Sequence, residues 1–161
     1  MILEGYVWKF GHEIDTDIIV PSRYLELAPD EYKEHLMEPV RPDFNSVIQK
    51  GDIIFAGKGF GIGSSRGQAV VAIKETGIKG IVAISFGRIF FRSAINDGLV
   101  LIECPEAYNK TDEGDLVQIN ILSGIVKNKT KGTEFSFQQF DDLILKIILA
   151  GGGVNYYKKL K

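Results

Sequence analysis

The chain is poor in the residues that build metal centres and catalytic triads. It has one cysteine, Cys104, and two histidines, His12 and His35. A lone cysteine excludes an internal disulfide framework and fits a reducing, cytoplasmic setting. It also excludes a cysteine-ligated metal or iron–sulfur site made by this chain alone. No apolar run is long enough to span a bilayer, so no membrane segment is expected. No basic segment followed by an apolar one opens the chain, so no secretion signal is expected either. Lysine and arginine number 19 against 21 acidic residues, for a net charge of −2, and no basic block stands out. A nucleic-acid partner is therefore not expected.

What is present is a globular composition. The 161 residues are 45% hydrophobic, with no internal repeat and no low-complexity linker. That suits one soluble domain over residues 1–161 with a real core.

The chain is organised around residues 57–68, Gly57-Lys58-Gly59-Phe60-Gly61-Ile62-Gly63-Ser64-Ser65-Arg66-Gly67-Gln68. The apolar run Asp52–Ala56 before it reads as a buried strand. Ala69–Glu75 after it reads as a helix closed by Gly77. Strand, glycine loop and helix start together make a site for an anion, most naturally a carboxylate or phosphate. Unpaired first-turn amides point outward there, and Ser64, Ser65 and Arg66 add two hydroxyls and a guanidinium. The bland alternative is a glycine-rich turn with a serine helix cap and no chemistry.

Three stock motifs compete for this loop. A dinucleotide fingerprint fails because Ser64 or Arg66 stands where its last glycine belongs. A phosphate-binding P-loop fails for want of the Gly-Lys-Ser/Thr ending. Gly63-Ser64-Ser65-Arg66-Gly67 is literally G-x-S-x-G, the nucleophile elbow of esterases. That chemistry needs a histidine downstream, and both histidines lie upstream.

Taken in order, Leu3–Phe10 reads as a first strand. Gly11–Asp17 is a polar loop, in which Asp15 and Asp17 either fix an Asx turn or form a carboxylate pair for a metal or a cationic side chain. Pro29 starts a helix running from Glu31 to Met37, with His35 at its surface or half-buried. Asp43–Gln49 is a short helix with Asp43 near its cap. Ile81–Ser85 is a buried strand. Gly87–Ile95 is a helix with Ile89, Phe90 and Ala94 turned inward and Arg88 and Arg92 on a solvated face. Leu99–Ile102 is the next strand. This alternation indicates an α/β core with parallel pairs. Beyond Pro105 come three short antiparallel strands, Asp115–Ile121, Gly124–Lys127 and Thr133–Phe137. A last helix, Gln139–Ala150, puts Phe140, Leu143, Ile144 and Ile147 on one face. Gly151–Gly153 end it, and Val154–Lys161 is a basic tail.

Four blocks carry a resemblance. Asp15-Thr16-Asp17-Ile18-Ile19-Val20-Pro21-Ser22-Arg23-Tyr24-Leu25 resembles a D-T-D-x-I-I-P-x-x-Y-L signature with one residue of difference. Residues 57–69 resemble G-x-x-F-G-x-G-S-S-R-E-x-A, 85–96 resemble S-F-A-R-I-F-x-R-N-A-I-N, and 150–156 resemble A-G-G-L-V-N-Y. Co-linear over nearly the whole chain, they resemble the small subunits, or swivel domains, of aconitase-superfamily hydro-lyases of the isopropylmalate dehydratase and homoaconitase type.

The resemblance implies a swivelling β/β/α three-layer α/β domain with a partly parallel core sheet and a C-terminal antiparallel region. It implies a separate large subunit that carries a 4Fe–4S cluster on its own cysteines, this chain binding no cofactor, and a small dicarboxylate substrate. Ser64 is then the base that removes a proton next to a carboxylate. Ser65 backs it, and Arg66 holds a substrate carboxylate, with Gly63 beside them. Gly67 stands where the family usually has Glu, and Ile62 where Cys is common.

The residues after Tyr24-Leu25 are implied to choose the substrate's variable group. Glu26 repels a third carboxylate, by roughly a kcal/mol or more at close range. Leu27 suits an alkyl group. An isopropylmalate is therefore expected, with 2,3-dimethylmalate and homoaconitate as alternatives, and a non-catalytic anion-binding module as the reading from another class.

Overall fold

The computed structural model describes residues 1–64 and 66–161. Strand β1 (Ile2–Lys9) runs through the middle of a seven-stranded sheet. On one side it pairs in parallel with β2 (Ile53–Ala56), and β3 (Gly80–Ala83) and β4 (Val100–Glu103) continue the parallel half. On the other side it pairs antiparallel with β5 (Leu116–Asn120), followed by β6 (Ile125–Asn128) and β7 (Thr133–Ser136). The order is β4-β3-β2-β1-β5-β6-β7. The expected partly parallel α/β core and C-terminal antiparallel region are both there.

The two halves differ as their composition demands. Every residue of β2, Ile-Ile-Phe-Ala, and of β3, Gly-Ile-Val-Ala, is buried. Strands covered on both faces need no polar alternation. β5 alternates instead: Val117 and Ile119 are buried, Leu116, Gln118 and Asn120 are half-buried. That is a strand with one face toward the core and one toward water.

The helices fill the connections. α1 (Thr16–Ile19), α2 (Pro29–Tyr32) and α3 (Phe44–Val47) are short pieces between β1 and β2. α4 (Gly67–Glu75) joins β2 to β3 and buries Ala69, Val70, Ala72 and Ile73. α5 (Arg88–Asn96) joins β3 to β4 and buries Phe90, Ala94 and Ile95. α6 (Pro105–Lys110) follows β4. α7 (Asp142–Ala150) is capped by the Asp141 carboxylate on the Ile144 amide and closes at Gly151, with the Gly152 amide donating to the Ile147 carbonyl. α8 (Gly153–Lys159) is the last element.

Several expectations need correction. Ile89 does not face inward; it is 56% exposed. Leu143 is likewise 55% exposed, and Phe140 precedes the helix it was assigned to. The helix expected to reach Met37 ends at Tyr32 and passes into a 3-10 turn at Lys33–His35; the chain then turns away at Leu36, whose ψ is 125°, and Met37 takes a left-handed φ of +59°. Asp43 sits at the cap position of α3 but makes no side-chain capping bond. The stretch after Pro105 opens with the helix α6 rather than a strand, and the basic tail is the helix α8. It packs where Gly153 comes close to Asn96: a Cβ at Gly153 would lie 2.2 Å from Asn96 Oδ1. So the fourth sequence block meets the end of the third.

Among the described residues no helix is long and apolar enough to cross a membrane.

Candidate functional site

Three loops leave the carboxyl ends of β1, β2 and β3 and are stitched together by their backbones. The Gly57 amide donates to the Gly11 carbonyl at 3.0 Å, the Gly61 amide to Ile14 at 2.8 Å, and the Thr16 amide to Ile62 at 3.0 Å. From the third loop, Ser85 Oγ accepts the Gly59 amide at 2.9 Å, and the Gly87 amide donates to the Phe60 carbonyl at 2.9 Å. Crevices at the carboxyl ends of parallel strands are the usual ligand sites of α/β sheets. Phe60 anchors the glycine loop; it is fully buried and packs edge-on against Phe90, with centroids 5.4 Å apart. Gly61 makes that packing possible. Its φ is +81°, and a Cβ there would stand 2.2 Å from Phe90 Cγ.

The two aspartates of the first loop do different things. Asp15 caps α1, its carboxylate accepting the Ile18 amide at 2.9 Å. Asp17 orients a cation. Its Oδ1 accepts the Ser22 amide at 2.9 Å and Arg66 Nη1 at 3.3 Å. The Ser22 amide first, opposed by burial and then helped by the Arg66 guanidinium, holds the Asp17 carboxyl below the usual carboxylate range. Between the aspartates, Thr16 Oγ1 donates to the Ser64 carbonyl at 3.2 Å. One turn of helix thus grips the loop at Ser64 and Arg66 together.

Ser64 and Gly63 are exposed, with Gly63 at φ +107°. Arg66 occupies the cap position of α4, makes no capping bond with its side chain, and keeps that side chain 23% exposed. Ser65 lies outside the described residues. Thr16, Ser64, Arg66, Ile89, Phe90 and Ser93 line a recess of only about 10 Å³. That is room for about one water. Ile89 is exposed here, beside Ser64, rather than in the core.

Tyr24, Leu25, Glu26 and Leu27 form a turn closed by the Leu27 amide on the Tyr24 carbonyl at 3.1 Å. Tyr24 and Leu25 are half-buried; Glu26 and Leu27 are exposed. Asp17 joins this segment to the glycine loop through Ser22. A larger groove, about 870 Å³, lies elsewhere, between α5, β4 and the chain after β7. Arg88, Arg92, Phe86 and Phe140 line it, and none of the expected site residues does.

Thr16, Ser93 and Ile89 join the expected residues at this recess. Thr16 lies inside the Asp-Thr-Asp block, but its partner is 48 residues away and no local pattern announces the pairing. Among the described residues no cluster of three or more His, Cys, Asp or Glu side chains could hold a metal. Cys104 is buried with its Sγ 3.6 Å from the Ser136 carbonyl, and burial pushes its thiol up. Its sulfur is committed to the β7 side of the fold, and it does not line the recess at Ser64.

Residues 29–107 match the family of the Aconitase C-terminal domain. The chain is 48% identical over 161 residues to the 3-isopropylmalate dehydratase small subunit of Clostridioides difficile, covering 98% of each chain. It is 49% identical over 159 residues to the methanogen homoaconitase small subunit of Methanothermobacter thermautotrophicus, covering 98% of this chain and 92% of that one. The crystal structure of 3-isopropylmalate dehydratase from Methanocaldococcus jannaschii superposes with a TM-score of 0.94 at 41% identity, over 99% of this chain and 95% of that one. With the fold, the four blocks and end-to-end likeness in agreement, the chain belongs to the family of 3-isopropylmalate dehydratase and homoaconitase small subunits, hydro-lyase subunits of the aconitase superfamily.

Proposed function

We propose that this chain is the small subunit of an isopropylmalate dehydratase, interconverting 2- and 3-isopropylmalate by dehydration and rehydration. Its partner is a large subunit that carries a 4Fe–4S cluster, and the setting is the cytoplasm. The observation that carries the reading is the pairing of an exposed Ser64 with an Arg66 held by Asp17 around a recess too small for any substrate. Such a half-site needs a second surface to enclose a dicarboxylate. The lone, buried Cys104 supports placing the cluster's ligands on the other chain.

In this reading Arg66 binds a substrate carboxylate, a fork-to-carboxylate contact for which guanidinium geometry is suited. Ser64 Oγ takes the proton from the carbon beside that carboxylate. Hydroxide then leaves the neighbouring carbon; its addition to the carbon that lost the proton, with the proton on Ser64 going to the other carbon, completes the isomerisation. A serine hydroxyl is a poor base, so an alkoxide-like Ser64 needs the Arg66 charge and the first amides of α4 nearby. The Thr16 bond to the Ser64 carbonyl supports this by fixing the backbone that carries the base. When bound in the complex, the cluster supplies a Lewis acid for the substrate hydroxyl and carboxylate. Gly67 leaves no carboxylate in the place of the family's usual Glu, and Asp17 is the acidic side chain that Arg66 does meet.

Global identity does not separate the two substrate types, since both relatives stand near 48%. The Tyr24–Leu27 turn has to decide. Glu26 disfavours a third carboxylate, and Leu27, 39% exposed, offers an apolar contact. The homoaconitase-type relative keeps homoaconitate as the second reading. Reconstitution with a cluster-bearing large subunit tests the choice: isopropylmaleate should be turned over faster than homoaconitate. The reverse preference overturns the substrate, and a complex inert on every malate-type substrate overturns the enzyme in favour of a binding module.

A further inference from the structure

The Tyr24–Leu27 turn is held from outside itself. Its closing bond rests on Tyr24, and Tyr24 is gripped by the segment that follows α2. The Tyr24 ring lies stacked on His35, centroids 3.5 Å apart and planes within 5°. The Tyr24 hydroxyl donates to Glu38 Oε1 at 2.9 Å, and Arg23 donates to the same oxygen at 3.1 Å. His35 Nδ1–H donates to the other oxygen, Oε2, at 2.5 Å. The Arg23 guanidinium carbon lies 4.6 Å from the Tyr24 ring centroid. His35 first, then Tyr24, hold the Glu38 carboxyl below its ordinary range, so it stays an acceptor at neutral pH.

The clamp is itself anchored where the catalytic loop is anchored. Met37, between His35 and Glu38, is fully buried in a left-handed conformation with φ +59°. Its amide donates to the Ile19 carbonyl at 2.9 Å, on α1. α1 is also the helix whose Thr16 and Asp17 hold Ser64 and Arg66. The separation between the turn and the base is therefore set through α1 and the clamp.

We propose that His35 and Glu38 are positioning residues for substrate discrimination: they hold Tyr24, and with it Leu25, Glu26 and Leu27, in register with Ser64 and Arg66. The inference rests on reading this turn as the substrate-selecting segment. Loosening the clamp leaves the base and its arginine in place but frees the wall that meets the substrate's variable group. Binding and selectivity then weaken while the proton transfer is untouched.

The experiment uses the reconstituted two-subunit complex with isopropylmaleate and homoaconitate as paired substrates. Glu38→Gln and His35→Phe should each raise KM for the preferred substrate about tenfold, leave kcat within about twofold, and compress the ratio of kcat/KM between the two substrates about tenfold. His35→Gln, which can still donate to Glu38, should recover more of the ratio than His35→Phe, which keeps only the stack. Amide exchange over residues 22–28 should quicken in Glu38→Gln, a readout independent of turnover. Unchanged ratios, or kcat losses equal for both substrates, overturn the inference while leaving the enzyme standing. An unaltered complex that turns over no malate-type substrate overturns the functional reading, and this inference with it.

Discussion

Arg66 and Asp17 stand 49 residues apart in the chain, and their side chains meet at 3.3 Å. The carboxylate oxygen that takes the guanidinium also takes the Ser22 amide. Asn at position 17 can still accept the amide but has no charge for the arginine. Asp17→Asn should therefore leave the thermal midpoint within about 2 °C, as exposed substitutions do. If Arg66 binds a substrate carboxylate as proposed, turnover by the complex should fall about tenfold to a hundredfold, because a misplaced arginine loses near-attack geometry. The Asp17 carboxyl is held low, first by the Ser22 amide. The anchor is therefore complete above the ordinary carboxylate range and is lost only as pH falls through the lowered value. In the neutral range the variant and the parent should show parallel pH profiles; a midpoint drop of many degrees would mean a structural role instead.

Ser64→Ala removes an exposed hydroxyl. Folding and assembly with the large subunit should persist. Loss of a general base lowers turnover about 10²–10⁴-fold. Size-exclusion chromatography with a steady-state assay checks both halves, and residual turnover near the parent's would remove Ser64 from the mechanism.

Gly61→Ala puts a methyl group 2.2 Å from Phe90 Cγ at a backbone φ of +81°. The left-handed strain and the overpacking together should destabilise by about 2–5 kcal/mol. Chemical denaturation measures this. A loss under 1 kcal/mol, roughly a surface-site effect, would contradict the close contact.

Asp115 tests the antiparallel half. Burial pushes its carboxyl up, but Asn128 Nδ2 at 2.8 Å, the Asp112 amide at 2.9 Å and the Lys131 ammonium outweigh burial and leave it below the ordinary range. A depressed carboxylate contributes stability that is present above its unfolded pKa, near 4, and lost as pH falls through the folded value. Asp115→Asn should lower stability at pH 7 by about 1–3 kcal/mol. It should also lose less stability than the parent between pH 5 and pH 3 (roughly the span over which carboxylates titrate). Urea unfolding at both ends of that range decides it.

Local chemistry made much of this legible. The runs Asp52–Ala56 and Ile81–Ser85 read as buried strands for want of polar alternation, and both strands are there, β2 starting one residue later at Ile53 and β3 shifted to Gly80–Ala83. The glycine loop, with hydroxyls and a guanidinium before a helix, read correctly as the start of α4. Errors came where periodicity was asked to choose between apolar faces. Ile89 and Leu143 have core-like spacing, yet each points to a surface, Ile89 into the recess beside Ser64. The tail reads only as basic, yet it is the helix α8, and Gly153 at its start lies against Asn96, a contact no local pattern encodes.

Side-chain polarity and backbone freedom over a few residues are enough to give the element types in the core, the single-cysteine chemistry and the make-up of the glycine loop. Tertiary structure alone decided which aspartate caps and which holds Arg66, and that Thr16 reaches Ser64. It alone brought Tyr24 onto His35. The reason is that each of these is a bond between segments brought together by sheet order, and sheet order is settled by burial summed over the whole chain.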